Sequence, residues 1–298
     1  MGFIFPPAVG PGDLIAVVAP SSPFAVGEFW RGLGWLRDRY ELFASPALLG
    51  RSGYLAGDDD HRARELERAM IEPRVKAIVA ARGGYGAMRV LSRLPWEAFQ
   101  KNPRWIVGFS DITALHCMTT ARGIAAVHAS HVTGVTHLSP RTKLAWMRAI
   151  ERPHEGFTWD DLRVHRTGRA EGPLFGGNLA LIEAMAAAGK LVVPEGAILL
   201  LEDVTERPYR IDRMLTSLML GGHLERASAI VLGEFTRCDP GPDGVSVEHV
   251  LEERLAGLGV PVVSGAPFGH GTENQPFVLG SRAELSGGSL RVGAKIES

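Results

Sequence analysis

Short runs of continuous apolar residues alternate with stretches of helical period through the first half of the chain. Residues 14–19, LIAVVA, form one such run and stop at Pro-Ser-Ser-Pro 20–23, the pattern of a parallel strand covered on both faces. Three aspartates at 58–60 supply N-cap candidates for a helix over 61–70. There Ala63, Leu66 and Met70 share one face, with arginine and glutamate on the other. The run VKAIVAA at 75–81 predicts a second strand; it ends in RGGYG at 82–86, and a helix follows to Leu91 or Leu94. WIVG at 105–108 predicts a third strand running straight into a helix over 111–120. This β-α-β-α rhythm argues for an α/β fold with a mostly parallel sheet covered by helices.

The pattern weakens over 141–171, a charged stretch with prolines. The linker is placed there, at 151–170, between an N-terminal α/β lobe at 1–150 and a C-terminal lobe at 171–298. The second lobe opens on GPLFGGN at 172–178 and an alanine-rich helix over 179–188. Strands are predicted at 197–201 and 229–232 with a helix at 211–220 between them, and the glycine-rich tail reads as short β-strands. The chain holds no repeat and no low-complexity tract.

Composition narrows the function classes. With 45% hydrophobic and 22% charged residues the chain is globular rather than disordered. The 32 basic and 33 acidic residues leave a net charge of -1, which gives no electrostatic footprint for nucleic acid or an anionic membrane. No apolar run approaches the roughly 18 residues of a membrane span, and the opening MGFIFPP lacks the basic n-region of a signal peptide. The two cysteines, Cys117 and Cys238, fall in no metal-ligand spacing, so a reducing compartment is expected. The expectation is a soluble, cytoplasmic protein.

Four places carry candidate chemistry. In GFSDIT at 108–113 a strand runs into Ser110 and a helix leaves from Asp111, which lifts the hydroxyl out of a tight turn and leaves the Asp111 N–H at a helix start. Such an N–H can donate to an oxyanion, although a serine there can equally cap the helix. RGGYG at 82–86 follows a strand and can form an anion nest or a plain tight turn; it lacks the lysine of a P-loop and the third glycine of a dinucleotide fingerprint. Beside Ser110 its Gly84 is the candidate second oxyanion donor. Of ten histidines, His128, His131 and His137 have no convincing carboxylate ligand beside them, whereas His270, in PFGHG, suits presentation from a loop. Glu202 ends the apolar run AILLL; it is either functional or salt-bridged to Arg207, Arg210 or Arg213.

Taken together, these segments resemble the LD-carboxypeptidase family of serine peptidases. The resemblance runs through GDLIAVVAPS at 12–21, YLAGD at 54–58, RGGYGA at 82–87, GFSDIT at 108–113, GGNL at 176–179, LEDVTERPYRIDR at 201–213 and FGHG at 268–271. It implies a Ser-Glu-His triad at Ser110, Glu202 and His270, with an oxyanion hole from the N–H groups of Gly84 and Asp111. It implies a flavodoxin-like N-terminal lobe, a C-terminal lobe with a small β-barrel, and a site in the cleft between lobes. It also implies a homodimer that releases terminal D-alanine from murein tetrapeptides without metal or cofactor. Arg82 is the candidate partner for the substrate's terminal carboxylate. After the histidine loop the family shows Leu-Pro-x-Gly where this chain has Phe277-Val278-Leu279-Gly280. Two other readings stay open: a microcin C-type immunity peptidase cleaving an acyl-nucleotide amide, and a non-catalytic two-lobed binder of small molecules.

Overall fold

The computed structural model describes residues 2–293, which divide into two compact units, 2–153 with 276–278 and 154–275 with 279–293. The first unit contains β1 (Leu14–Val18), α1 (Val26–Arg37), β2 (Glu41–Phe43), α2 (Asp59–Ile71), β3 (Val75–Ala80) and α3 (Ala87–Val90). It continues with α4 (Trp96–Lys101), β4 (Trp105–Gly108), α5 (Thr113–Thr120), β5 (Ala126–His128) and α6 (Pro140–Glu151). Within it the strands β2-β1-β3-β4-β5 lie side by side in parallel register. That order belongs to doubly wound sheets, whose strand order reverses beside β1 and opens a crevice at the carboxyl ends of the strands.

Local chemistry explains why these elements form. β1, β3 and β4 are buried along almost their whole length, as their near-continuous apolar runs require. Asp58 caps α2 through the His61 N–H at 2.7 Å, while Ala63, Leu66 and Met70 turn inward. Trp105 and Trp146 fill the core and satisfy their indole N–H groups on the carbonyls of Pro7 and Ser130, each at 2.9 Å. Arg62 is also inside. Its guanidinium, with no side-chain exposure, donates to the carbonyls of Pro20 and Gly86 and to Asp59.

The second unit contains β6 (Phe157–Trp159), β7 (Arg163–Arg166), β8 (Arg169–Asn178), α7 (Leu179–Ala187), β9 (Ala197–Val204), α8 (Pro208–Leu220) and β10 (Ala227–Thr236). They are followed by α9 (Val247–Leu255), β11 (Val262–Ser264), β13 (Arg282–Ser286) and β14 (Ser289–Val292), while β12 (Phe277–Leu279), between β11 and β13 in the chain, joins the sheet of the first unit. Apart from β12, these strands make one eight-stranded sheet, β6-β14-β13-β8-β9-β10-β11-β7. β8 serves both halves of it: residues 169–173 pair antiparallel with β13, and residues 174–178 pair parallel with β9. β6 and β7 are the two edges, so the described strands close no barrel, and an open, bent sheet replaces the expected one.

Residues 151–170, read from the sequence as a linker, carry both edge strands. In β7 the only apolar residue is Val164, which leaves no alternation to read. The segment that departs from the family pattern becomes β12, at the edge of the first sheet. Its three residues are buried, and Phe277 stacks on His128 with ring centroids 4.5 Å apart.

Replacing Arg62 with methionine keeps the volume but strands two buried carbonyls. The expected loss is about 2–4 kcal/mol of unfolding free energy, measured by urea titration. A change below 0.5 kcal/mol would show that those bonds carry no net stability.

Candidate functional site

In the first unit every candidate group stands at the carboxyl end of the parallel strands. β4 stops at Gly108, and Ser110 follows with φ of 58°, a left-handed backbone that costs a non-glycine residue about 1–2 kcal/mol. A helix cap takes extended backbone, so this conformation does not support the capping role for Ser110. A short 3-10 turn over Ser110–Ile112 leads into α5. Ser110 is thus a strained, half-buried serine presented at a turn between strand and helix.

Asp111 secures that turn. Its buried Oδ2 accepts from Ser21 Oγ at 2.6 Å and from the Ala87 N–H at 2.7 Å. The loop after β1, the glycine loop before α3 and the serine turn are thereby tied to one oxygen. Burial pushes the Asp111 carboxyl above its usual range, while the Ser21 hydroxyl and the Ala87 and Gly86 N–H groups pull it back.

The glycine loop needs its glycines. A Cβ on Gly83 would sit 2.8 Å from His131 Cε1 and 3.1 Å from Ser110 Cβ. Gly84 has φ of +106°, and its neighbour Tyr85 donates its N–H to Ser22 Oγ at 3.1 Å. Arg82 is exposed, with Nη1 on the Pro23 carbonyl at 2.6 Å.

His131 was legible in the sequence only as one of three histidines without a carboxylate. The structure sends those three to different tasks. His128 stacks on Phe277, and His137 lies 3.4 Å from Glu28. His131 places Nε2 2.9 Å from the Phe109 carbonyl and lays its ring on Phe109 at 4.4 Å, one residue before Ser110. No spacing rule announces such a contact, because it arises only when the ends of β4 and β5 meet.

In the second unit the candidates again stand at carboxyl ends of parallel strands. Glu202 lies in β9, fully buried, and its Oε2 accepts from His270 Nδ1 at 2.7 Å. Its Oε1 is buried with no hydrogen-bond partner among the described residues. The arginine alternative is not realised: Arg207 donates to the carbonyls of Asp239 and Pro240, and Arg210 pairs with Glu206. His270 is partly accessible, with 18% of its side chain exposed.

Two carboxylates grip the histidine loop. A Cβ on Gly269 would lie 3.1 Å from Glu202 Oε2, and one on Gly271 would collide with Glu234. Glu234 was not singled out from the sequence; it sits in β10 with no charged motif around it. Burial and the charges of Glu202 and Glu273 push its carboxyl upward. Next to Glu202, Asp203 accepts from Asn178 Nδ2 at 3.0 Å and the Ala180 N–H at 2.9 Å, which links GGNL to LED. Burial and the Glu202 charge push Asp203 up to about 7.

The first unit thus presents a serine at left-handed φ beside a glycine loop, and the second a buried glutamate bonded to a loop histidine. The chain belongs to the LD-carboxypeptidase family: residues 15–129 match its N-terminal domain and 171–285 its C-terminal domain. A putative carboxypeptidase of Synechocystis is 37% identical, covering 96% of this chain and 95% of its own. The murein tetrapeptide carboxypeptidase of Pseudomonas aeruginosa is 35% identical over 93% of this chain and 94% of its own. Among solved structures, the muramoyltetrapeptide carboxypeptidase from Oxalobacter formigenes superposes with a TM-score of 0.85 at 30% identity. That match covers 94% of this chain and 98% of the other. Among the described residues no helix is long and apolar enough to cross a membrane.

Two outcomes follow from these contacts. Gly83→Ala should fold but lose at least about tenfold in kcat, since its methyl group drives into His131 and Ser110 (one order of magnitude is 1.36 kcal/mol of barrier); unchanged kcat would remove the steric argument. For Asp203 the folded carboxyl titrates above the unfolded value of about 3.9. Between that pH and about 7 the folded state holds the extra proton, so this group's contribution to stability falls as pH rises. Urea midpoints measured from pH 4.5 to 7.5 should therefore decline less steeply in Asp203→Asn, and identical slopes would contradict the assignment.

Proposed function

We propose that the protein is a serine L,D-carboxypeptidase that frees the terminal D-alanine of murein tetrapeptides, with Ser110, His270 and Glu202 working as one relay. The hydrogen bond from His270 Nδ1 to Glu202 Oε2 at 2.7 Å is the observation that carries this reading. It holds the imidazole in the tautomer whose Nε2 has the lone pair, and the adjacent carboxylate stabilises the imidazolium that forms.

In the proposed reaction Nε2 takes the Ser110 proton as Oγ attacks the carbonyl between an L-centre, diaminopimelate or lysine, and the D-alanine. The N–H groups of Gly84 and Asp111 receive the developing oxyanion. Arg82 offers its remaining donors to the substrate's terminal carboxylate. The imidazolium then protonates the departing amine, and a water activated by the same nitrogen hydrolyses the acyl-serine and restores the hydroxyl. No step needs a metal or an organic cofactor. A homodimeric assembly, implied by the family resemblance, and the cytoplasmic location expected from the sequence belong to the same reading.

Ser110→Ala should lower the rate of D-alanine release from defined tetrapeptides by about 10⁴-fold or more, with unchanged far-UV circular dichroism, because triad members act as a unit. Glu202→Gln should be milder, since the amide still orients the ring. Near-normal release by Ser110→Ala would overturn the assignment. Faster turnover of an aminoacyl-sulfamoyl adenosine than of the tetrapeptide would favour the immunity-peptidase reading instead.

A further inference from the structure

Two motifs of the first unit present side chains that the proposed chemistry does not use. Tyr54, from YLAGD, and Tyr85, from RGGYG, are 64% and 49% exposed, and their rings tilt toward each other with centroids 5.9 Å apart. Large aromatic rings are costly to leave in water, and tyrosine offers an apolar face with a polar tip at the cost of only two side-chain torsions.

Both are held rigidly. Tyr54 lies in a tight turn closed by reciprocal hydrogen bonds between Ser52 and Leu55, at 2.9 and 3.0 Å. Leu55 is buried against Gly86, and the Ala56 N–H donates to the Ser21 carbonyl at 2.9 Å. Tyr85 is fixed by its N–H on Ser22 Oγ, one residue beyond the candidate oxyanion donor Gly84. Arg62 bonds the carbonyl of Gly86, and Arg89 pairs with Asp59 at 2.8 Å, so the charge behind the rings is already matched. The pair therefore stands on the same scaffold as Ser110, with Gly83 packed directly against that serine.

What fills such a shelf follows from the reaction. The leaving group of a D-alanyl carboxypeptidase is a single small residue, so any subsite beyond the reaction centre belongs to the acyl side. Three extended stem residues cover about 10–11 Å, and beyond them murein carries a sugar. The stem offers no ring to two aromatic faces, whereas a pyranose offers a face of C–H bonds edged by hydroxyls. We propose that Tyr54 and Tyr85 form a subsite for the pyranose ring attached to the N-terminus of the stem peptide, giving the enzyme a preference for glycosylated over free tetrapeptide. This rests on the carboxypeptidase reading above and names the part of the substrate that reading leaves open.

The test compares kcat/KM for a disaccharide-tetrapeptide with that for the free tetrapeptide, in wild type and in Tyr54→Ala/Tyr85→Ala. The ratio in favour of the glycosylated substrate should fall about tenfold in the double alanine variant, on the scale of two aromatic contacts. It should stay within about twofold of wild type in Tyr54→Phe/Tyr85→Phe, which keeps the faces and removes the hydroxyls. An unchanged ratio in the alanine variant, or an equal fall in the phenylalanine variant, overturns the proposal. So does a greater sensitivity of aminoacyl-sulfamoyl adenosine cleavage to the alanine changes, since a nucleobase would then be the occupant. A second arm measures binding of the disaccharide-tetrapeptide to Ser110→Ala by calorimetry, with and without the two alanines. Affinity should fall about tenfold even if the wild type releases no D-alanine, an outcome that would defeat the carboxypeptidase reading alone; equal affinities would defeat the shelf.

Discussion

The carboxylate of Asp111 accepts from the Ser21 hydroxyl and from the Ala87 N–H, while its backbone directly follows a serine held at left-handed φ. That oxygen joins the ends of three elements at the crevice of the sheet. A buried carboxylate with well-placed donors is costly to disturb, because losing either partner leaves an unmatched polar group in a low-dielectric interior. The strain at Ser110 persists because this network, together with His131 on the Phe109 carbonyl, over-determines the turn.

The second unit fixes a histidine by the same logic. Glu202 is buried at the end of a parallel strand and spends one oxygen on His270, while Glu234 and the glycines on either side of the histidine fix the loop. Three carboxyls, at 202, 203 and 234, crowd this region, and burial with mutual repulsion raises Asp203 and Glu234.

Much of this was legible in the sequence, for identifiable reasons. β1, β3 and β4 showed as near-continuous apolar runs because parallel strands are buried on both faces, and α2 showed through its aspartate cap. Ser110 stood out at a strand-to-helix turn, Glu202 at the end of an apolar run and His270 in a loop between glycines. β6 and β7 were lost in a charged stretch, since short edge strands bury too little to leave an alternating pattern. The expected small barrel is an open sheet among the described strands, since β6 and β7 remain unpaired edges and β8 changes partner along its length, pairings that apolar periodicity does not encode. The contact of His131 with Phe109 and the place of Glu234 beside the histidine loop were not legible, because what these side chains touch is set by the meeting of distant segments.

In the proposed reaction the acyl group is transferred to Ser110 Oγ, and covalent capture tests that role. Wild-type protein treated with a fluorophosphonate and digested should carry the phosphonyl mass on the peptide containing Ser110, and His270→Ala should carry little or none under the same conditions. Labelling elsewhere with Ser110 unmodified, or equal labelling of both proteins, would contradict the account.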